Sequence, residues 1–277
     1  MSETTHDAGG HYDRVTAAWT WLLGEELHYG VFERGDEDLA TATRRLTSLM
    51  AEAGQIGPGQ QVLDVGCGTG APACHLASTY GARVTGISTS GVGVRAATDR
   101  AVAAGLADRV TFLVGDGMSN GFADGSFDRV WVQESSHLMR DRGRLVAESA
   151  RVLRPGGRLV LCDIVLRREM PFEEVRRLLR PLSLLREVFG DARMEPVELY
   201  ARLVEDEGLT VDAQLDLTSA TRPTLARWRA NAERYRDEVV SVLGEPEWRK
   251  FVAACDVLER FWDDNTLGYA LLAAQKP

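Results

Sequence analysis

One ten-residue stretch, Gln61-Val62-Leu63-Asp64-Val65-Gly66-Cys67-Gly68-Thr69-Gly70, narrows the possible folds more than any other part of the chain. Val62 to Val65 reads as a buried parallel strand, and Ala71 to Tyr80 restarts at helical spacing. Between them stand three glycines at alternate positions. They let the backbone turn sharply and approach a ligand where a Cβ would collide or forbid positive φ. A strand, a glycine turn and a helix N-terminus in that order make a nucleotide-sized anion or dipole site in α/β proteins. No Lys follows the glycines as in a phosphate-binding loop, and the third glycine falls too early for the dinucleotide fingerprint.

The rest of the chain continues the alternation. Strands at 62–65, 82–87, 110–114, 127–133 and 158–164, with helices at 92–105 and 145–153 and a tight turn at 154–157, predict a parallel sheet covered on both faces. Before it, residues 1–10 read as disordered, and helices are expected over 11–27 and 39–54. After residue 166 the pattern changes. Helices over 171–189 and 196–207 precede a sixth strand at 210–217, and helices over 223–243 and 247–263 precede a last strand at 267–276. Pro171, Pro196, Pro223 and Pro246 lie near these helix starts, where a missing N–H costs little. Three regions follow: 1–56, N-terminal helices covering the site; 57–166, a binding core; and 167–277, lid helices plus the last two strands. The lid falls over the edge of the sheet where open α/β folds bind ligands.

The formal charge of −9 argues against nucleic acid as the main partner. Nothing approaches an 18-residue apolar span, and the N-terminus does not read as a signal peptide, so a cytoplasmic protein with no membrane partner is expected. Cys67, Cys74, Cys162 and Cys255 lack paired metal spacing; they read as reduced thiols, and no metal is expected.

Polar residues gather at the predicted strand ends. Asp64 stands two residues before the first glycine, Asp116-Gly117-Met118 ends the third strand, and Glu134-Ser135-Ser136-His137 follows the fourth. Three acidic residues there suit a ligand with hydroxyls, an exocyclic amine and positive charge. Asp116 also reads as a turn or cap residue before Gly117. Ser88 and Ser90, after the second strand, offer one hydrogen bond each. His137 has an imidazole able to take a proton at neutral pH, or else is a helix-start residue beside the ligand. Asp163 ends the fifth strand and reads either as a site residue or as a turn residue.

The glycine stretch resembles the first motif of class I S-adenosylmethionine-dependent methyltransferases, (V/I)LD(V/I)GCGTG. The resemblance implies an α/β, Rossmann-like seven-stranded sheet with helical lid insertions and S-adenosylmethionine as cofactor, leaving as S-adenosylhomocysteine. It also implies that Asp64 and the backbone of Gly66, Cys67, Gly68 and Gly70 hold the methionine part and ribose. Gly86-Ile87-Ser88-Thr89-Ser90, Leu27-His28-Tyr29-Gly30, Asp141-Arg142-Gly143 and Thr221-Arg222-Pro223-Thr224 extend the likeness over nearly the whole chain. They resemble the natural-product branch that includes rebeccamycin sugar O-methyltransferase and tocopherol C-methyltransferase. That branch implies methyl transfer to oxygen or carbon of a small hydroxylated natural product such as a polyketide; a monomer or homodimer is expected.

In the same branch His28, Tyr29 and Phe32 would close over the cofactor, with Ser88, Ser90, Asp116, Gly117, Met118 and Glu134 as further contacts. Asp163 stands where the sugar O-methyltransferases carry an acid, placed to orient His137 or bind a substrate hydroxyl. Three positions depart from the pattern. Serine replaces the acid that usually ends the second strand, Gly93 stands where a Gln is common, and Leu138 replaces the second His of a pair. Spinosyn-type cyclases share the fold and pocket and close a ring with no methyl transferred, which is the alternative reading. Trp228, Trp248, Phe251, Phe261 and Trp262 read mainly as core packing. Arg176, Arg177, Arg180 and Arg186 read as a solvated face balanced by Glu173, Glu174 and Glu187.

Overall fold

The computed structural model describes residue 15 and residues 18–277. Seven strands form a sheet: β1 (Gln61–Val65), β2 (Arg83–Ser88), β3 (Val110–Val114), β4 (Phe127–Gln133), β5 (Leu153–Leu166), β6 (Thr210–Asp216) and β7 (Leu267–Gln275). Their order is β3-β2-β1-β4-β5-β7-β6. β1 pairs with β2 on one side and β4 on the other, so the chain order reverses there, and the crevice of an open α/β sheet opens beyond the carboxyl ends of those strands.

The expected parallel sheet holds for β1 to β5. β7 instead lies antiparallel between β5 and β6. Its sequence explains the position, because every residue from Leu267 to Ala274 is buried, while β6 alternates between half-buried and exposed. An interior strand must be apolar on both faces, and an edge strand need not be. The two faces separate along each strand: Val62, Trp131, Val160, Cys162 and Leu271 pack on one, and Leu63, Val130, Leu159, Leu161 and Leu272 on the other.

The helices are α1 (Leu39–Ala53), α2 (Ala71–Tyr80), α3 (Gly91–Ala103), α4 (Arg142–Val152), α5 (Phe172–Arg177), α6 (Leu179–Phe189), α7 (Val197–Asp206), α8 (Thr218–Thr221), α9 (Pro223–Arg234), α10 (Arg236–Leu243) and α11 (Glu245–Asp263). The helix expected over 171–189 breaks at Leu178. Pro181, in the first turn of α6, has no N–H and its ring would meet the carbonyl of Arg177 in a continuous helix. The helix expected over 223–243 breaks at Tyr235, and nothing in the local sequence explains it. The expected turn at 154–157 is a bulge inside β5: Leu153 faces Phe127 and Arg158 faces Arg129, so five residues step along against two. Gly156 takes φ +76° there, and both it and Gly157 bond to the backbone of Lys276.

Residues 18–23 are helical and end at Gly24, φ +94°, short of the expected 27; the beginning of that helix and the polar segment 1–10 fall outside the described residues. A strap from His28 to Phe32 then crosses α1 so closely that a Cβ on Gly30 would lie 2.6 Å from that of Ala42. Val31 donates to the Ala42 carbonyl, Phe32 to that of Ala220, and Gly30 to Thr224 Oγ1. Among the described residues no helix is long and apolar enough to cross a membrane.

Candidate active site

The glycine turn occupies the switch point between β1 and β4. Gly66, Gly68 and Gly70 all take positive φ, at +85°, +53° and +76°. Gly66 and Gly70 are also sterically required: a Cβ on Gly66 would sit 2.2 Å from Ser135 Cβ, and one on Gly70 2.5 Å from Phe112. Gly68 differs, because nothing lies within 4 Å of its missing Cβ. Asp64, four residues earlier in β1, is buried with its Oδ2 lacking any hydrogen-bond partner among the described residues. Burial pushes its carboxyl up to about 7. A buried carboxylate without a donor is costly and needs explaining. A ligand amine, ammonium or hydroxyl would supply the missing donor, so the residues present fit an S-adenosylmethionine-type group. Cys67 offers only its backbone there; its buried side chain packs under Gly86, and burial pushes its thiol well up.

The ends of β2 and β3 are more committed to structure. Ser90 Oγ caps α3 by accepting from Gly93 N at 2.9 Å, and Ser88 Oγ accepts from Ser90 N at 3.2 Å. At Gly93 a Cβ would lie 3.1 Å from the Gly68 carbonyl, so a longer side chain there would press on the glycine turn. Asp116 Oδ1 accepts from Met118 N at 2.9 Å, the turn contact expected of an Asp before Gly. Gly117 lets this turn lie against β1, since its Cβ would fall 2.4 Å from Val65 Cγ1.

Glu134, directly after β4, adopts φ +46° and is half-buried, and desolvation pushes its carboxyl up to about 7. Its Oε1 accepts from Tyr29 N at 2.7 Å and from the Tyr269 hydroxyl at 2.5 Å. The strap is thus tied to the carboxyl rim of the sheet. Tyr29 itself stacks on Trp262, meets Trp228 edge-on and neighbours Tyr269, with ring centroids 4.6–5.3 Å apart. The Tyr29 hydroxyl and the indole N–H groups of Trp228 and Trp262 are buried with no acceptor among the described residues. Phe251 and Phe261 are core, as expected, and Trp248 donates to the Ala232 carbonyl. Arg176 pairs with Glu173 on an exposed face.

The two catalytic candidates meet. His137, on a short 3₁₀ turn (Ser136–Leu138), places Nδ1 2.6 Å from Asp163 Oδ1, and its backbone N–H donates to Asp163 Oδ2 at 3.1 Å. Asp163 is fully buried and also accepts from Ile164 N at 2.8 Å and from the Ser136 hydroxyl. A carboxylate only accepts, so Nδ1 carries the hydrogen and Nε2, which has no partner among the described residues, carries the lone pair. Burial disfavours the imidazolium, yet the Asp163 charge beside it outweighs burial and raises the His137 pKa above 6.5. For Asp163 burial likewise works upward, and the His137 and Ser136 contacts bring it below 3.8. Arg142 and Arg193 clamp the backbone carbonyl of His137. Ser136, Tyr200 and Arg142 escaped the sequence reading. Ser136 had a signal in its place beside His137, whereas Tyr200 has none, lying in an ordinary amphipathic helix.

A methyltransferase-domain family model matches residues 63–161. The chain is 35% identical to 27-O-demethylrifamycin SV methyltransferase of Amycolatopsis mediterranei, over 99% of this chain and 98% of that one. It is 38% identical to methyltransferase GfsG of Streptomyces halstedii, over 99% and 95% of the two chains. Among solved structures, the [4+2]-cyclase SpnF superposes with a TM-score of 0.84 at 31% identity, covering 100% of this chain and 98% of that one. Full-length relatedness at this level, joined to a glycine turn at the switch point and a buried, unpartnered acid in the strand before it, places the chain in the class I S-adenosylmethionine-dependent methyltransferases that act on small natural products.

Proposed function

We propose that the chain methylates a hydroxyl oxygen rather than a carbon, with His137 Nε2 taking the hydroxyl proton. The observation carrying this reading is the His137–Asp163 pair at 2.6 Å, which holds the imidazole in the tautomer of a general base. When bound, the cofactor supplies an electrophilic sulfonium methyl. Asp64 and the backbone at Gly68 would hold its methionine and ribose parts, and Glu134 would fix the strap over it. His137 Nε2 would take the hydroxyl hydrogen as the oxygen displaces S-adenosylhomocysteine from the methyl carbon, and Asp163 would stabilise the imidazolium left behind. The strap and the lid helices keep water out, so that in-line placement of the hydroxyl does most of the work. The relatives named for O-methylation support the same reading, and a base of this kind has less to do at an unactivated carbon.

The test uses the purified protein, carbon-13-methyl S-adenosylmethionine and a panel of hydroxylated polyketides beginning with 27-O-demethylrifamycin SV. The expected product gains the mass of one CH₂ unit, with S-adenosylhomocysteine and a labelled methoxy carbon. A labelled methyl bonded to carbon would overturn the oxygen assignment. A product of unchanged mass and new ring connectivity would instead support the cyclase alternative.

A further inference from the structure

Behind the His137–Asp163 pair, three polar side chains from separate elements line up in the core. Ser136 precedes His137, Tyr200 comes from α7, and Arg142 opens α4; all three are buried. Ser136 Oγ bonds Asp163 Oδ2 and lies 2.8 Å from the Tyr200 hydroxyl. The Arg142 guanidinium donates to the backbone carbonyls of His137 and Arg193. Counting hydrogens fixes the direction of the chain. Asp163 can only accept, so the single Ser136 hydroxyl hydrogen goes to it. Ser136 then has none left for Tyr200, so Tyr200 must donate to Ser136.

We propose that Ser136 and Tyr200 are positioning residues that set the basicity of His137 through Asp163, as a one-way chain from Tyr200 to Ser136 to Asp163. Each link draws charge away from the carboxylate, as polarised chains of hydrogen bonds do in a low-dielectric interior. Asp163 thereby holds the imidazolium less tightly, and His137 releases its proton closer to neutral pH. Packing alone does not account for the Tyr200 hydroxyl. A Phe would fill the same pocket among Val204, Leu145 and Leu161 without a buried polar group to satisfy. The inference rests on His137 being the base, but its test reads the imidazole directly.

The charged and titratable groups acting on His137 are Asp163 at the end of β5, Glu134 after β4 and Arg142 on α4, with Tyr200 of α7 reaching it through Ser136. Glu134 and Arg142 stay the same across the variants, so differences between the variants isolate the chain. Nitrogen-15 histidine NMR on the full-length protein without cofactor resolves the five histidines, His137 being assigned by its loss in His137→Gln. The neutral imidazole should be the Nδ1–H tautomer. Ser136→Ala should raise its pKa by about 0.5–1 unit, since a hydrogen bond to a charged group is worth on the order of one unit. Tyr200→Phe should raise it by less, in the same direction, with the melting curve still cooperative. An unchanged or lowered pKa in both variants, or an Nε2–H tautomer in the parent, overturns the proposal. Should Ser136→Ala not fold, Tyr200→Phe decides alone by the same criterion. A raised pKa together with undiminished methyl transfer by His137→Ala would sink the base assignment and leave the chain of hydrogen bonds standing.

Discussion

Replacing Asp64 by Asn should stabilise the cofactor-free protein and weaken its hold on the cofactor at the same time. The folded state raises this carboxyl from 3.8 to about 7 through burial alone. An acid with a raised folded pKa keeps its proton longer when folded than when unfolded. Its cost is therefore absent below pH 3.8 and complete above pH about 7. Each pKa unit is worth about 1.4 kcal/mol, so ionised Asp64 costs the fold about 4 kcal/mol at pH 8. An amide is neutral and lacks a partner much as the protonated acid does, so Asn should recover most of that cost, about 4 kcal/mol. Urea unfolding of both proteins at pH 8 and pH 4 measures this directly. The gain should appear at pH 8 and shrink to nearly nothing at pH 4. Calorimetric titration with S-adenosylmethionine should show the opposite sign, with affinity at least roughly tenfold weaker, as the loss of one charged hydrogen bond implies. An equal gain at both pH values, or none at pH 8, would refute the claim that this carboxylate is strained by burial and relieved by the ligand.

The two required glycines and the open one should part company. Gly66→Ala meets both a positive φ and a Cβ 2.2 Å from Ser135, so urea unfolding should show a loss of about 2–5 kcal/mol. Gly68→Ala, with nothing within 4 Å, should lose only about 1–2 kcal/mol from its φ yet bind S-adenosylmethionine more weakly by calorimetry. Under single-turnover conditions His137→Ala should lower the methyl-transfer rate by about 10²–10⁴, and Asp163→Asn should approach the same loss by releasing the wrong tautomer. Because His137 titrates above 6.5 and must be deprotonated to act, kcat/KM should rise with pH through a midpoint above 6.5. A rate that is flat from pH 6 to 9, the range an imidazole base would dominate, would remove it from the mechanism.

The parts of this molecule legible in the sequence are those whose physics is local. The Val62–Gly70 stretch declares a strand and a turn that only glycine can make, and the three positive φ values occur where the spacing put them. His137 and Asp163 were each visible as strand-end residues, but their 2.6 Å contact depends on β4 and β5 lying in register, with Gln133 opposite Cys162. What escaped depends on distant partners. The bulge at 154–157 reads locally as a turn and becomes part of a strand because Lys276 bonds on both sides of it. Tyr200 shows no mark of its role, which arises only when α7 sets its hydroxyl beside Ser136.

The place of β7 has a bearing on how the chain assembles. β6 is hydrogen-bonded in the sheet through β7, although α8 to α11 are made between the two strands. A ribosome extruding this protein therefore presents a β5 with one open side and a β6 with no neighbour to join. Such open strand edges invite pairing with other chains. The half-made protein should accordingly be captured by chaperones or co-aggregate during the interval between residues 216 and 267, and be released as Leu267–Gln275 slots home.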